Sequence, residues 1–211
     1  MSKRLGKLNE TQYDFGKLKK VIKQMSESYV VKVGIIGAEA QAKHRDTNLT
    51  NAELGAIHEF GATINVTKKM RGFFFKKYGI QKSKKPVVIP TRSFLRMPLL
   101  SKEGRQQIIK KVINSMGINS LFSGNKGTPK EFKGVYEKEI INTISPGTLA
   151  TAIGAIALER VMEAFETEGF GQWQPTSEWS KQHRKYNPSN PTLTDTGDLR
   201  SSITFDVQKV S

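Results

Sequence analysis

The chain contains no cysteine, which excludes disulfides, thiolate metal sites and cysteine nucleophiles together. Histidine is nearly as scarce. His44, His58 and His183 are the only three, they show no ligand-like spacing, and His58-Glu59 lacks the second histidine of a zinc-binding helix motif. No apolar run approaches the roughly 18 residues that cross a bilayer, and no charged n-region leads into an apolar h-region. A cytoplasmic chain without membrane contact is therefore expected. Acidic side chains are also in short supply: 19 Asp and Glu stand against 34 Lys and Arg, a formal charge of +15 over 211 residues. That balance suits nucleic acid, an anionic surface or an acidic protein partner, and it describes a field rather than a site.

Catalytic patterns are equally thin. No glycine-framed elbow selects a serine. Gly124-Asn125-Lys126-Gly127-Thr128 lacks the GxxxxGK[ST] spacing of a phosphate loop. Asp195-Thr196-Gly197 matches the triplet that each lobe of an aspartic protease supplies. Only fourteen residues follow it, too few to build a lobe, and Asp198 would set a second negative charge beside the first. Local duty explains it better: Thr196 caps a short helical turn and Asp198 sits at its positive end. No enzymatic activity, metal or cofactor is expected.

What is present reads as alternating helices and short strands. Asp14 opens a helix with Leu18, Val21, Ile22 and Met25 on one face and lysines on the other. Tyr29 to Ile36 is a β-branched strand, and residues 38–50 are a small, polar loop. Thr50 with Glu53 forms a capping box for a helix whose Leu54, Ile57 and Phe60 share a face, ended by Gly61. A strand at Ala62 to Val66, a Thr67-capped helix and a strand stopped by Pro90 follow. Ser101 begins a helix with Ile108, Ile109, Val112, Ile113 and Met116 on a broad face. Residues 117–143 are turn-rich, with a short pairing near Val135 to Ile141. Ser145-Pro146 opens a long helix to about Glu168, and Ser202 to Val207 is a final strand that joins the first. The fold class is α+β: an antiparallel sheet of about four strands packed against two or three helices, with long loop excursions. Residues 1–28 form a basic arm and helix, and residues 29–211 a single domain with insertions at about 67–86 and 117–144.

The first insertion interleaves basic and aromatic residues, from Lys68-Lys69-Met70-Arg71 through Phe73-Phe74-Phe75 to Lys76-Lys77-Tyr78, with Lys82, Lys84 and Lys85 beyond. Rings and lysines so mixed can stack bases and meet phosphates, or the rings can anchor a core or a subunit interface. Trp173 and Trp179, in a Pro-, Ser- and Asn-rich tail, can lock a loop to the body or anchor a partner.

NAELGAIHEFGATI, VTKKMRGFFFKKYGI, VVIPTRSFLRMPL, GQWQPTSEWSKQHRK and LTDTGDLRSSITFDV, in that order, resemble the phage virion-morphogenesis or tail-completion family, including the Mu-like tail-completion proteins. Glu59-Phe60-Gly61 matches its Glu-Phe-Gly turn, and Ile89, Pro90, Arg92, Phe94 and Leu95 its Ile-Pro-x-Arg-x-Phe-Leu element. Trp173, Pro175, Thr194, Gly197, Leu199, Ser202 and Ile203 match its terminal pattern. Ser93 stands where the family often has Pro. The resemblance implies a small, non-enzymatic α+β neck protein at the junction of capsid portal and tail tube. It would assemble as a closed ring, hexameric by expectation, touching other neck, connector and tail-tube proteins and surrounding DNA. Oligomer or partner contacts are then expected at Met70, Arg71, Phe73, Phe74, Phe75, Arg92, Phe94, Trp173 and Trp179. DNA-facing charge is expected at Lys68, Lys69, Lys76 and Lys77.

Overall fold

The computed structural model describes residues 28–45, 47–79, 85–116, 145–182 and 191–210. The expected Asp14 helix, the 117–143 excursion, Lys82, Lys84 and His183 lie outside the described residues. In order, the elements are β1 (Ser28–Gly34), α1 (Ala38–Gln41), α2 (Asn51–Phe60), β2 (Ala62–Ile64), α3 (Lys68–Tyr78) and β3 (Val87–Ile89). They continue with α4 (Arg96–Leu100), α5 (Lys102–Ser115), α6 (Pro146–Glu166), α7 (Glu178–Gln182), α8 (Asp198–Ser201) and β4 (Thr204–Val210). The class is α+β, as the alternation of elements implied. None of the helices among the described residues is long and apolar enough to cross a membrane.

The caps read from the sequence at Thr50, Thr67 and Ser145 form. Thr50 Oγ1 accepts from the Glu53 amide at 3.2 Å while the Glu53 carboxylate accepts from the Thr50 amide at 2.8 Å, satisfying two helix-end donors reciprocally. Thr67 Oγ1 accepts from the Met70 amide, and Ser145 Oγ from that of Thr148, so α3 and α6 begin where the sequence placed them. The expected Thr196 cap does not form: Gly197, in the left-handed region, is the N-cap of α8 and carries no side-chain cap bond, while Thr196 Oγ1 accepts from the Asp198 amide at 3.2 Å from one residue further out.

The strands do not form one sheet. β1 pairs with β4, as expected, but β2 and β3 pair only with each other, antiparallel, with Ala62 opposite Ile89, Thr63 opposite Val88 and Ile64 opposite Val87. Three residue pairs exhaust this ribbon: Pro90 has no N–H to extend the ladder, and α2 ends at Phe60, one residue short of Gly61.

The chain divides into two compact units. One comprises Met1–Lys32, Gln106–Ile156 and Asp206–Ser211; in it Val112, Ile113 and Ala150 are buried, and Lys32 Nζ donates to Gln208 Oε1. Ile109, expected on the apolar face of its helix, is exposed. The other unit, Val33–Arg105 with Ala157–Phe205, holds a core of Phe94, Val161, Ala164, Phe165, Trp173, Leu199 and Ile203. Its aromatic rings meet in series, Phe94 to Phe165 at 5.2 Å between centroids and Phe165 to Trp173 at 5.7 Å, the second pair edge to face.

In this second unit α1 and α8 both pack on α2, and Arg45 pairs with Asp198 at 3.2 Å. The face that α2 buries is not the apolar one expected. Asn51, Gly55 and Glu59 are buried, whereas Phe60 is 62% exposed. Gly55 leaves no room for a side chain: a Cβ there would come within 2.5 Å of Ile35 Cδ1 and 3.5 Å of Phe94 Cζ. The helix therefore approaches the core by its smallest residue, and the flanking Asn51 and Glu59 must find polar partners inside.

Beyond α6 the chain takes four consecutive left-handed residues, Glu168, Gly169, Phe170 and Gly171, with φ of 50°, 67°, 55° and 75°. Two non-glycine residues in that region carry strain, which local bonds offset: the Gly169 amide donates to Ala164 O at 2.7 Å and the Trp173 amide to Glu168 O at 3.0 Å. The Glu168 carboxylate accepts from both the amide and the hydroxyl of Thr192. The turn delivers Trp173 into the core.

Candidate functional site

Two stretches far apart in sequence, the end of α2 and residues 93–96, meet around the carboxylate of Glu59, and a third is bonded to the second through Trp173 and Gln174. One oxygen accepts from Ser93 Oγ at 2.7 Å, the Arg96 amide at 3.0 Å and Arg96 Nε at 2.9 Å. The other accepts from the amides of Phe94 at 2.8 Å and Leu95 at 2.9 Å. Arg96 also donates from Nη2 to the Glu59 carbonyl and lays its guanidinium 4.2 Å from the centre of the Phe60 ring. A buried carboxylate is thus surrounded by donors at the start of α4, where backbone amides have no helical acceptor. Burial pushes the Glu59 carboxyl pKa up, but the hydrogen bonds from Ser93, Leu95 and Arg96 outweigh it and hold the group below its ordinary value.

The neighbouring residues extend this clasp. Ser93 Oγ, besides donating to Glu59, accepts from the Met97 amide at 2.9 Å, a bridge that proline at this position would not supply. The Arg92 amide donates to His58 O, Arg92 Nε donates to Gln174 O at 3.0 Å, and Thr91 Oγ1 donates to Phe60 O. Trp173 Nε1 donates to Ser93 O at 3.3 Å. Gly61 follows at φ 75°, where a Cβ would press on Thr91 and the Ile89 carbonyl, so the turn out of α2 requires glycine.

Chemically the clasp is an anchor. Both oxygens of Glu59 are engaged as acceptors, and Ser93 Oγ, the hydroxyl among its donors, is itself held by the Met97 amide. Among the described residues, no group of three or more His, Asp or Glu is placed to hold a metal ion.

Burial separates the residues expected at partner contacts. Phe94 is 0% exposed, and Arg92 and Trp173 are buried with it. Their burial does not fit the expected partner contacts: all three lie inside their own unit, where Arg92 Nε and Trp173 Nε1 donate to its backbone and the Phe94 amide to Glu59. Met70, Arg71 and Phe74 are half-buried on α3, with Arg71 Nη1 donating to Val66 O. Phe73 and Phe75 are each 51% exposed, and Lys68, Lys69, Lys76 and Lys77 are all exposed. Lys77 Nζ stands 5.3 Å from the Phe73 ring centre and 5.2 Å from that of Tyr78. Trp179 falls on α7, and its side chain is outside the described set.

Sequence reasoning matched Glu59 to a family turn but assigned it no function, and it passed over Arg96. The available signal was the spacing of Asn51, Gly55 and Glu59, a polar and small stripe at i, i+4, i+8 that apolar periodicity ignores.

His58 lies beside the clasp. It is largely buried, and its Nδ1 has no hydrogen-bond partner. Burial first, then the positive charge of Arg92 and the nearby His44, lower its pKa from 6.5 to about 4. A group that charges less readily when folded contributes stability that is complete above the unfolded pKa and lost as pH falls from 6.5 through the folded value. Acidification over that window is expected to cost about 3 kcal/mol through His58. Urea unfolding at a series of pH values checks this: His58→Gln should flatten the profile, and an unchanged slope would refute the assignment.

No family model matches this chain, and neither does any curated protein or solved structure.

Proposed function

We propose that this chain is a structural protein of a tailed-phage virion, one that completes the tail or forms a neck ring joining the capsid connector to the tail tube. The supporting observation is the convergence of the motif blocks. Glu59-Phe60-Gly61, the Arg92 to Leu95 element and Trp173 are separated by up to 80 residues in the bonds that join them, yet they build one clasp around one core. A family motif that serves as an internal frame suits a scaffold that acts by assembly. On this reading the chain works as a homo-oligomeric ring, hexameric by resemblance, with connector and tail proteins on either side.

Mass spectrometry of purified particles tests the proposal. Peptides of this chain should be present at a fixed ratio to the major capsid protein, at about six copies per particle for a single ring. Their absence from particles that package DNA and carry tails would overturn it.

A second reading, sequence-independent DNA binding, is favoured by one observation: Lys68, Lys69, Lys76 and Lys77 are all exposed on α3 of a chain with charge +15. Replacing all four by Glu should then reduce the slope of log affinity against log salt for duplex DNA by about four. An unchanged slope would remove α3 from any DNA contact.

A further inference from the structure

From Ala62 to Ile89 no described residue is buried, although Glu59 and Arg92 on either side are. The described part of the segment is nevertheless regular. It comprises the β2–β3 ribbon and α3, the latter capped by Thr67 at one end and by Gly79, whose amide donates to Phe75 O at 3.0 Å, at the other. A two-stranded ribbon and a helix of 11 residues are each marginal in water without a surface to pack on.

The segment also carries exposed apolar side chains. Val88 is 65% exposed, on the opposite ribbon face from the cross-strand pair Ile64 and Val87, which are exposed as well. Phe73 and Phe75 add to this surface. Such a concentration marks an interaction site. Among the described residues the pairing leaves each strand of the ribbon with one edge outside the sheet, a template for a further strand.

Charge narrows the occupant. Residues 62–89 contain eight lysines and arginines, among them Lys68, Lys76, Lys77 and Lys85, and no Asp or Glu. A partner must bring carboxylates or phosphates. Nucleic acid would gain from lysines and free ring faces. Here, however, the Phe73 ring is packed by Phe74 and Tyr78 and approached by Lys77, and outside α3 the segment's large exposed apolar residues among those described are the aliphatics Ile64, Val87 and Val88, which offer nothing to stack a base on. A second basic copy would meet repulsion.

We propose that β2, α3 and β3 present a docking surface for an extended, acidic protein segment with alternating apolar residues. That segment adds to an edge of the β2–β3 ribbon, sets its apolar side chains against Val88 or the Ile64 and Val87 pair, and turns its carboxylates to the lysines. The inference does not depend on the virion reading, because it concerns which chemistry the surface takes and not where the protein resides.

Three labelled probes of roughly fourteen units test it on the full chain: an alternating Leu-Glu peptide, oligo-glutamate and oligo-dT. The alternating peptide should bind at least about tenfold tighter than oligo-glutamate, and Val88→Glu should weaken it about tenfold with an unchanged melting temperature. Lys76→Glu with Lys77→Glu, a second variant confined to exposed positions, should weaken it comparably. Equal binding of oligo-glutamate, tighter binding of oligo-dT, no detectable peptide binding, or a Val88→Glu affinity within about twofold of the parent would each overturn the proposal.

Discussion

Glu59→Ala is expected to destabilise the protein by about 3 to 5 kcal/mol, lowering its melting temperature by roughly 6 to 20 °C. The reason lies in what remains after truncation. Three backbone amides, those of Phe94, Leu95 and Arg96, point at the Glu59 oxygens, together with Ser93 Oγ and Arg96 Nε. Removing the acceptor leaves buried donors unpaired, at about 1 to 3 kcal/mol each before relaxation or water entry. Glu59→Gln keeps the volume but turns an N–H2 toward some of the same donors, so it should recover only part of the loss. Acid acts in the same direction. Because the Glu59 pKa is lowered on folding, its contribution is complete above the unfolded value of 4.5 and falls away as pH drops through the folded one. Urea titration at neutral pH measures the difference, and a Glu59→Ala variant within 1 kcal/mol of the parent by that measurement would show that the clasp is not a principal support.

The features legible in the sequence are those set by near neighbours. Thr50 with Glu53, Thr67 with Met70, and Ser145 with Thr148 each satisfy a helix end within three residues, so composition at fixed offsets suffices to find them. The β1–β4 pairing was also legible, since two β-branched or alternating stretches stand out at either end of a largely helical pattern. The buried face of α2 was not. Periodicity weighs apolar residues and selects Leu54, Ile57 and Phe60, whereas the surface that α2 meets presents backbone N–H groups 35 to 37 residues beyond Glu59. Such a surface binds a carboxylate, and it needs Gly55 for close approach to Ile35 and Phe94. The single four-stranded sheet failed for a related reason. Strand propensity identifies segments but not partners, and β2 and β3, close in sequence, make their three pairs with each other.

Phe94→Ala is expected to cost about 3 to 5 kcal/mol, and Phe73→Ala less than about 0.5 kcal/mol. Both phenylalanines met the same expectation of partner contact when only their residue types and motif positions were known. Their surroundings separate them. Phe94 is fully buried, with its ring 5.2 Å from that of Phe165 and its edge below Gly55, so its removal leaves a cavity lined by the aromatic series and by Leu199. Phe73 is half exposed on a helix that buries none of its residues. The Trp173→Ala change should cost about as much as Phe94→Ala, and the two together less than their sum, because both truncations open space against the same Phe165 ring. Thermal unfolding of the three single variants and the double variant provides the measurement. Additive losses would mean that Phe94 and Trp173 do not share a cavity through Phe165. A Phe73→Ala loss near that of Phe94→Ala would mean that α3 has a packed face within the free chain, and the case for a docking surface there would fall with it.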